Sequence, residues 1–140
     1  DVDEGFLDEN FKMHCYAPFF LTQTFASLCQ KGDIINITDT KVNNNIPAFF
    51  SYLVSKKSLS SFSEMSALRL APNIRINEIC PGAVLPDKGF EDKGLEDVNN
   101  ALPSKKNASP QDICQTIKFL LEIKCFYGQK FYIDGGEHLL

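Results

Sequence analysis

The stretch ALRLAPNIRINEICPG, residues 67–82, carries the pattern that predicts the fold of this chain. It begins as the end of an apolar helical repeat and breaks at Ala71-Pro72-Asn73. Residues 74–79 then form a strand-like run, which a Pro-Gly turn closes. A helix that leads directly into a buried strand is typical of proteins in which helices connect parallel strands.

The same alternation continues on both sides of this stretch. Pro18 should kink or split the first helix, while Ser109 and Pro110 mark the start of the last one. Residues 81–108 are rich in Pro, Gly, Asp, Lys and Asn, and we expect a long loop there. The order therefore predicts an α/β fold with a parallel sheet. The predicted helices are 7–30, 49–70 and 110–123, and the predicted strands are 33–38, 74–79 and 129–133.

The composition limits the classes of partner. The chain has 140 residues, 44% of them hydrophobic, so we expect one globular domain. Its net charge is −4 and it has no long basic run, so we expect neither nucleic-acid nor membrane binding. Its five cysteines include no CxxC pair, which favours free thiols in a reducing cytoplasm. Because there are only two histidines, we expect no metal site. The acidic start of the chain does not resemble a signal peptide.

A tyrosine, a lysine and an aspartate form the candidate chemical centre. Tyr52 and Lys56 are four residues apart, so on a helix they share a face, and the cation should lower the pKa of the phenol. Asp39 follows the strand 33–38, at the edge of a parallel sheet where ligands bind. Its alternative role is to cap a turn. The Pro-Gly turn after residue 80 falls at the same edge.

Four segments in order resemble the short-chain dehydrogenase/reductase family. They are ITDT (37–40), YLVSK (52–56), ALRLAPNIRINEICPG (67–82) and GQKFYIDGGEHLL (128–140). The resemblance covers nearly the whole chain but only the second half of the family's fold. It implies the C-terminal half of a Rossmann-type doubly wound parallel sheet.

The resemblance assigns roles to individual residues. Tyr52 would be the general acid/base, and Lys56 would tune it and bind the nicotinamide ribose of NADPH or NADH. Asp39, Tyr52 and Leu85 would contact the substrate. The cofactor would also be contacted by Thr38, Pro81, Gly82, Ala83 and Val84.

Two positions depart from the commonest family pattern. By this resemblance, Asp39 stands where most members have serine, and His14 stands where most have asparagine. Both residues resemble those at the same positions of pteridine and dihydromonapterin reductases. This resemblance implies a dihydropterin substrate. An aspartate can accept hydrogen bonds from the N–H groups of a pterin ring. His14 would relay a proton, with an ordinary structural histidine as the alternative.

No glycine-rich turn joins a strand to a helix in these 140 residues. We therefore expect the N-terminal dinucleotide-binding half to be absent from this chain, and the chain to be inactive alone. That half, which could be a separate partner chain, would bind most of the cofactor. The alternatives are a non-catalytic remnant that serves as an oligomerisation module, and a reductase of another carbonyl substrate.

The family's helices that match 7–30 and 49–70 pack between subunits, so the resemblance also implies a homo-oligomer, a dimer or a tetramer. His138 would reach a neighbouring subunit's pocket, as tails do in related reductases. An ordinary polar tail is the alternative.

Overall fold

The computed structural model describes residues 2–85 and 93–140, with the backbone alone for 93–95. Its regular elements alternate along the chain between helices and strands. The helices are α1 (Glu4–Phe11), α2 (Ala17–Leu28), α3 (Phe50–Leu70), α4 (Lys93–Ala101) and α5 (Pro110–Glu122). The strands are β1 (Gly32–Ile37), β2 (Ile74–Pro81) and β3 (Lys130–Ile133).

The three strands form one parallel sheet in the order β1-β2-β3. Residues 74–80 of β2 are all buried, whereas the two outer strands are only partly covered, because β2 alone has a described strand on each side. Ile76 and Ile79 are fully buried there, and burying each stabilises the fold by about 1.5–3 kcal/mol. The predicted α/β fold with a parallel sheet is confirmed.

Alternate side chains of β2 face helices on opposite sides of the sheet. Ile74 and Ile76 pack with Ala67 of α3, whereas Arg75 points toward α5. The Arg75 guanidinium donates hydrogen bonds to the carbonyl oxygens of Leu120 and Ile123, at 3.1 and 2.7 Å. A cation thus occupies the negative end of the α5 dipole.

Pro18 interrupts the regular α-helical hydrogen bonding of the first predicted helix, but the backbone stays helical from Glu4 to Leu28, so the helix is not split. Since Pro18 has no N–H to donate, the ladder widens into a π-helical segment, Lys12–Tyr16, in which the N–H of Ala17 bonds to the carbonyl of Lys12. This segment carries His14. The helix also starts three residues earlier than predicted, because the Asp3 carboxylate caps it by accepting from the N–H of Phe6 at 2.7 Å.

The predicted loop over 81–108 is wrong in part. Strand β2 extends to Pro81, and α4 occupies Lys93–Ala101. Leu102, directly after α4, is buried, so the C-terminal end of α4 packs against the rest of the chain. Composition alone concealed the helix, because its exposed positions are polar. Residues 86–92 of the predicted loop lie outside the described part of the chain.

The outer surface of α2 and α3 is apolar and exposed. Phe19, Phe62, Met65 and Leu68 line a groove of about 910 Å³ between the two helices. Along the described ranges, no helix is both long enough and apolar enough to span a bilayer.

Candidate active site

The three strand ends bring distant segments of the chain to one edge of the sheet. Because the strands are parallel, the residues that follow them emerge on the same side. Asp39 comes after β1, Gly82 after β2 and Asp134 after β3. Helix α3 adds Tyr52 and Lys56 from its first turns.

Asp39 and Tyr52 are hydrogen-bonded to each other. The Tyr52 hydroxyl donates to Asp39 Oδ2 at 3.0 Å, and Asp39 Oδ1 accepts from the N–H of Lys41 at 2.7 Å. One carboxylate therefore caps the short 3-10 helix Thr40–Asn43 and also binds the tyrosine. The interpretation of Asp39 as a turn cap is therefore confirmed, while its contact with a substrate stays a prediction.

Lys56 lies one helical turn beyond Tyr52 and is 8% exposed. Its ammonium donates to the carbonyl of Ile37 at 3.0 Å and lies 5.6 Å from the centre of the Tyr52 ring. Burial lowers the pKa of Lys56, and the Asp39 carboxylate opposes that shift. The expected sharing of one helix face by the phenol and the ammonium is therefore found.

The expected direction of the Tyr52 pKa is wrong in this structure. Burial raises the pKa of the phenol well above its ordinary value, and the charge and hydrogen bond of Asp39 raise it further. The expectation considered only the cation at Lys56, which is turned toward Ile37. In this arrangement Tyr52 keeps its proton and its hydroxyl donates a hydrogen bond to Asp39.

His14 contacts the tyrosine through its ring. The two ring centres are 5.5 Å apart and the planes are nearly perpendicular, which is an edge-to-face aromatic contact. Burial and then the Lys56 charge lower the pKa of His14, so the imidazole is neutral at pH 7. Its position beside Tyr52 is therefore established, while a proton-relay role stays a prediction.

Thr38 is buried within the sheet. Its hydroxyl donates to the carbonyl of Ile79 at 3.3 Å and lies 3.1 Å from Cys80 Sγ. Both the hydroxyl and the N–H of Thr38 are thus bonded to β2, and its contact with a cofactor stays a prediction.

The Pro-Gly turn lies against the C-terminal segment. Pro81 is the last paired residue of β2, and a Cβ at Gly82 would come within 3.0 Å of the Asp134 Cβ, so only glycine fits without movement. Ala83 and Val84 are half-buried at the edge of the sheet, whereas Leu85 is exposed. These residues are placed where a ligand at the strand ends would meet them.

A cluster around Asp134 did not emerge from the sequence. Asp134 is buried, and its carboxylate accepts hydrogen bonds from the Thr40 hydroxyl and from His138, through both Nδ1 and the backbone N–H at 2.8 Å. The His138 ring stacks on Tyr132 of the same chain, with ring centres 4.3 Å apart. His138 therefore contacts its own chain. In the sequence, the run Asp134-Gly135-Gly136 is typical of a turn at the end of a strand and does not indicate these contacts.

Comparison with known proteins identifies the family. Residues 1–138 match the family model described as enoyl-(acyl carrier protein) reductase. The chain belongs to the short-chain dehydrogenase/reductase family, a family of oxidoreductases.

The similar proteins and solved structures are also named as reductases or dehydrogenases. Dihydromonapterin reductase of Klebsiella pneumoniae is 26% identical over an alignment of 133 positions, and the match covers 91% of this chain and 55% of that protein. Glucose and ribitol dehydrogenase homolog 2 of Arabidopsis thaliana is 28% identical over an alignment of 144 positions, and the match covers 97% of this chain and 50% of the relative. The crystal structure of FolM alternative dihydrofolate reductase 1 from Brucella suis in complex with NADP superposes with a TM-score of 0.95 at 31% identity, covering 100% of this chain and 58% of that one. The chain spans about half the length of the curated relatives it matches.

Proposed function

We propose that this chain forms the proton-donating and substrate-binding part of an NAD(P)H-dependent reductase of a dihydropterin. The observation that carries the proposal is the hydrogen bond from the Tyr52 hydroxyl to Asp39, with Lys56 one turn away at the same edge of the sheet. The similarity to dihydromonapterin reductase and to FolM supports the substrate class.

Asp39 would serve both the substrate and the tyrosine. A pterin ring presents N–H groups that a carboxylate can accept. Once those donors engage Asp39, its charge would be partly neutralised, which would lower the pKa of Tyr52 by part of what Asp39 adds to the larger effect of burial. Substrate binding would thereby release the Tyr52 proton for transfer to the ring that is reduced.

The residues at the edge of the sheet fit one end of a nicotinamide cofactor. The Lys56 ammonium has three donors, and one of them bonds to the Ile37 carbonyl, so it has donors for ribose hydroxyls. Gly82 and Val84 would line the nicotinamide. A bound cofactor would supply the hydride, while Tyr52 and Asp39 would hold and move the proton.

The pyrophosphate end of that cofactor has no matching residues in this sequence. Within residues 2–85 and 93–140, no glycine-rich turn leads from a strand into an α-helix. We therefore expect a strand–turn–helix unit outside this sequence to bind most of the cofactor, and this chain to be inactive without it. Ile37, on the outer strand β1, is 41% exposed and would lie next to such a unit.

A second candidate function is a non-catalytic oligomerisation module. The apolar groove between α2 and α3 favours it, because an exposed apolar surface of this kind is typical of a protein interface. The reductase could also self-associate, as a dimer or a tetramer, so self-association does not distinguish the two functions. Binding of the nicotinamide cofactor does distinguish them, because only the reductase requires it.

A third candidate is a reductase of another carbonyl compound, which the similarity to the Arabidopsis dehydrogenase homolog favours. Asp39 argues against it, because a carboxylate repels a developing oxyanion where a hydroxyl would stabilise it.

The test uses a fusion of this chain to the part of Brucella suis FolM that it does not cover. Binding of NADPH is measured by calorimetry on the chain and on the fusion, followed by NADPH oxidation with dihydropterins and with ketones. A dihydropterin-dependent rate supports the reductase, and a ketone-dependent rate supports the third candidate. A folded fusion that self-associates and binds no NADPH supports the oligomerisation module.

A further inference from the structure

The turn that follows Asp39 is fastened to the C-terminal segment. Three side chains of the 3-10 helix Thr40–Asn43 each contact a different residue from 132–137. The contacts are Thr40 Oγ1 to Asp134 Oδ2, Lys41 Nζ to Glu137 Oε1 at 3.3 Å, and Asn43 Nδ2 to the Tyr132 hydroxyl.

Asp134 is the centre of these contacts. The residue is 3% exposed, and its carboxylate accepts from Thr40, from the N–H of Gly136 at 3.0 Å and from His138. Burial raises the pKa of Asp134, but the hydrogen bonds from Thr40, His138 and Gly136 outweigh it, so the net shift is downward. A buried carboxylate with this many donors is fixed in orientation.

His138 supports the turn at both ends. Its backbone N–H and its Nδ1 each lie 2.8 Å from Asp134 Oδ2, the oxygen that receives the Thr40 hydroxyl. Its ring stacks on Tyr132, whose hydroxyl accepts from Asn43. Both the first and the last residue of the turn therefore depend on groups that His138 contacts.

The 40–43 turn also sets the direction of the Asp39 carboxylate. Asp39 Oδ1 accepts from the N–H of Lys41 at 2.7 Å, and the carbonyl of Asp39 accepts from the N–H of Val42 at 3.3 Å. These bonds hold Asp39 so that its other oxygen meets the Tyr52 hydroxyl. A displaced turn would rotate that oxygen away from the phenol.

We propose that Asp134 and His138 are positioning residues of the candidate active site. They clamp the 40–43 turn and thereby hold the Asp39 carboxylate against the Tyr52 hydroxyl. The inference rests on the proposed function for the importance of Asp39 in the reaction. A clamp that only stabilised the tail would leave Asp39 and Tyr52 unaffected by its loss.

The test compares His138→Ala with His138→Asn in this chain. Asparagine keeps a donor near the position of Nδ1, so it should rescue the clamp, whereas alanine removes it. Leu139→Ala is the matched control, because that side chain belongs to the same segment and is 73% exposed. The two readouts are amide hydrogen exchange over 40–44 and the nuclear magnetic resonance shift of the hydroxyl-bearing carbon of Tyr52, assigned with Tyr52→Phe.

The clamp predicts about 10-fold faster exchange at the Lys41 and Val42 amides in His138→Ala, the effect of one hydrogen bond to a charged group. The Tyr52 carbon should move toward its position in Asp39→Asn, where the bond from the phenol to a carboxylate is absent. His138→Asn and Leu139→Ala should stay near the wild-type values.

Faster exchange in the tail with unchanged values at Lys41 and Tyr52 would overturn the proposal. If His138→Ala does not fold, Thr40→Val removes the turn's own donor and leaves the tail intact, and it must shift the Tyr52 carbon in the same direction. Neither readout uses a cofactor or turnover. A clamp that behaves as expected in a fusion that reduces no dihydropterin would therefore count against the proposed function alone.

Discussion

Glu78 gives this fold a stability that depends on pH. It lies in the middle of β2, is 0% exposed and faces α3. Within the described ranges neither of its carboxylate oxygens has a hydrogen-bond partner. Burial raises its pKa to about 7 from 4.5, although nearby Ser60, Lys130 and Thr38 oppose that shift without reaching hydrogen-bond geometry with it.

The size of the effect follows from the two pKa values. The difference between about 7 in the folded chain and 4.5 in the unfolded chain corresponds to about 3 kcal/mol. The folded state binds the proton more tightly, so the contribution to stability is complete below about pH 4.5. It is lost as the pH rises to about 7, and no further loss occurs above that value.

The assay is urea unfolding followed by circular dichroism between about pH 5 and pH 8, in the wild type and in Glu78→Gln. Glutamine is uncharged at every pH, so the variant should lose about 2.5 kcal/mol less than the wild type over this range and be the more stable protein at about pH 8. Glu122→Gln is the control, because Glu122 is exposed at the end of α5 and its charge is not among those that shift the pKa of Glu78. Equal slopes in the wild type and Glu78→Gln would refute the reasoning.

Three further predictions concern other parts of the structure. Arg75→Ala should destabilise the chain by about 2–4 kcal/mol in urea unfolding, since it leaves Asp33 and two helix-end carbonyls without their buried partner; a loss below about 0.5 kcal/mol would contradict this. Gly82→Ala should cost about 1–3 kcal/mol by the same measurement, because its Cβ would come within 3.1 Å of the C-terminal segment's backbone. Asp39→Asn should lower the pKa of Tyr52 in an ultraviolet titration, and an unchanged or higher value would show that burial alone sets it.

The alternation of helices and strands was predictable because local patterns decide it. Apolar runs of strand length, each bounded by a turn, gave β1, β2 and β3 to within about two residues. The irregularity near Pro18 in the first helix was predictable, since the loss of one backbone donor is a local event. Helix α4 was missed, because its polar residues resemble those of a loop.

The site was predictable only in part. Residue spacing and the parallel sheet brought together Asp39, Tyr52 and Lys56, which the structure places side by side. The direction of the Tyr52 pKa depends on burial and on the bond to Asp39, which spacing does not reveal. The contact between Thr40 and Asp134 joins residues 94 positions apart, so no local pattern contains it.

The role of Tyr52 as proton donor is the central claim, and one rate comparison tests it most directly. The fusion of this chain with the uncovered part of Brucella suis FolM is assayed for NADPH oxidation with a dihydropterin, beside the same fusion carrying Tyr52→Phe and, as the matched control, Tyr16→Phe. Tyr16 is half exposed, so its variant should keep the full rate. We predict a loss of about 10²–10⁴-fold for Tyr52→Phe with NADPH binding retained. A folded fusion that binds NADPH and oxidises it equally fast with Tyr52→Phe, or not at all with dihydropterin, would contradict the claim.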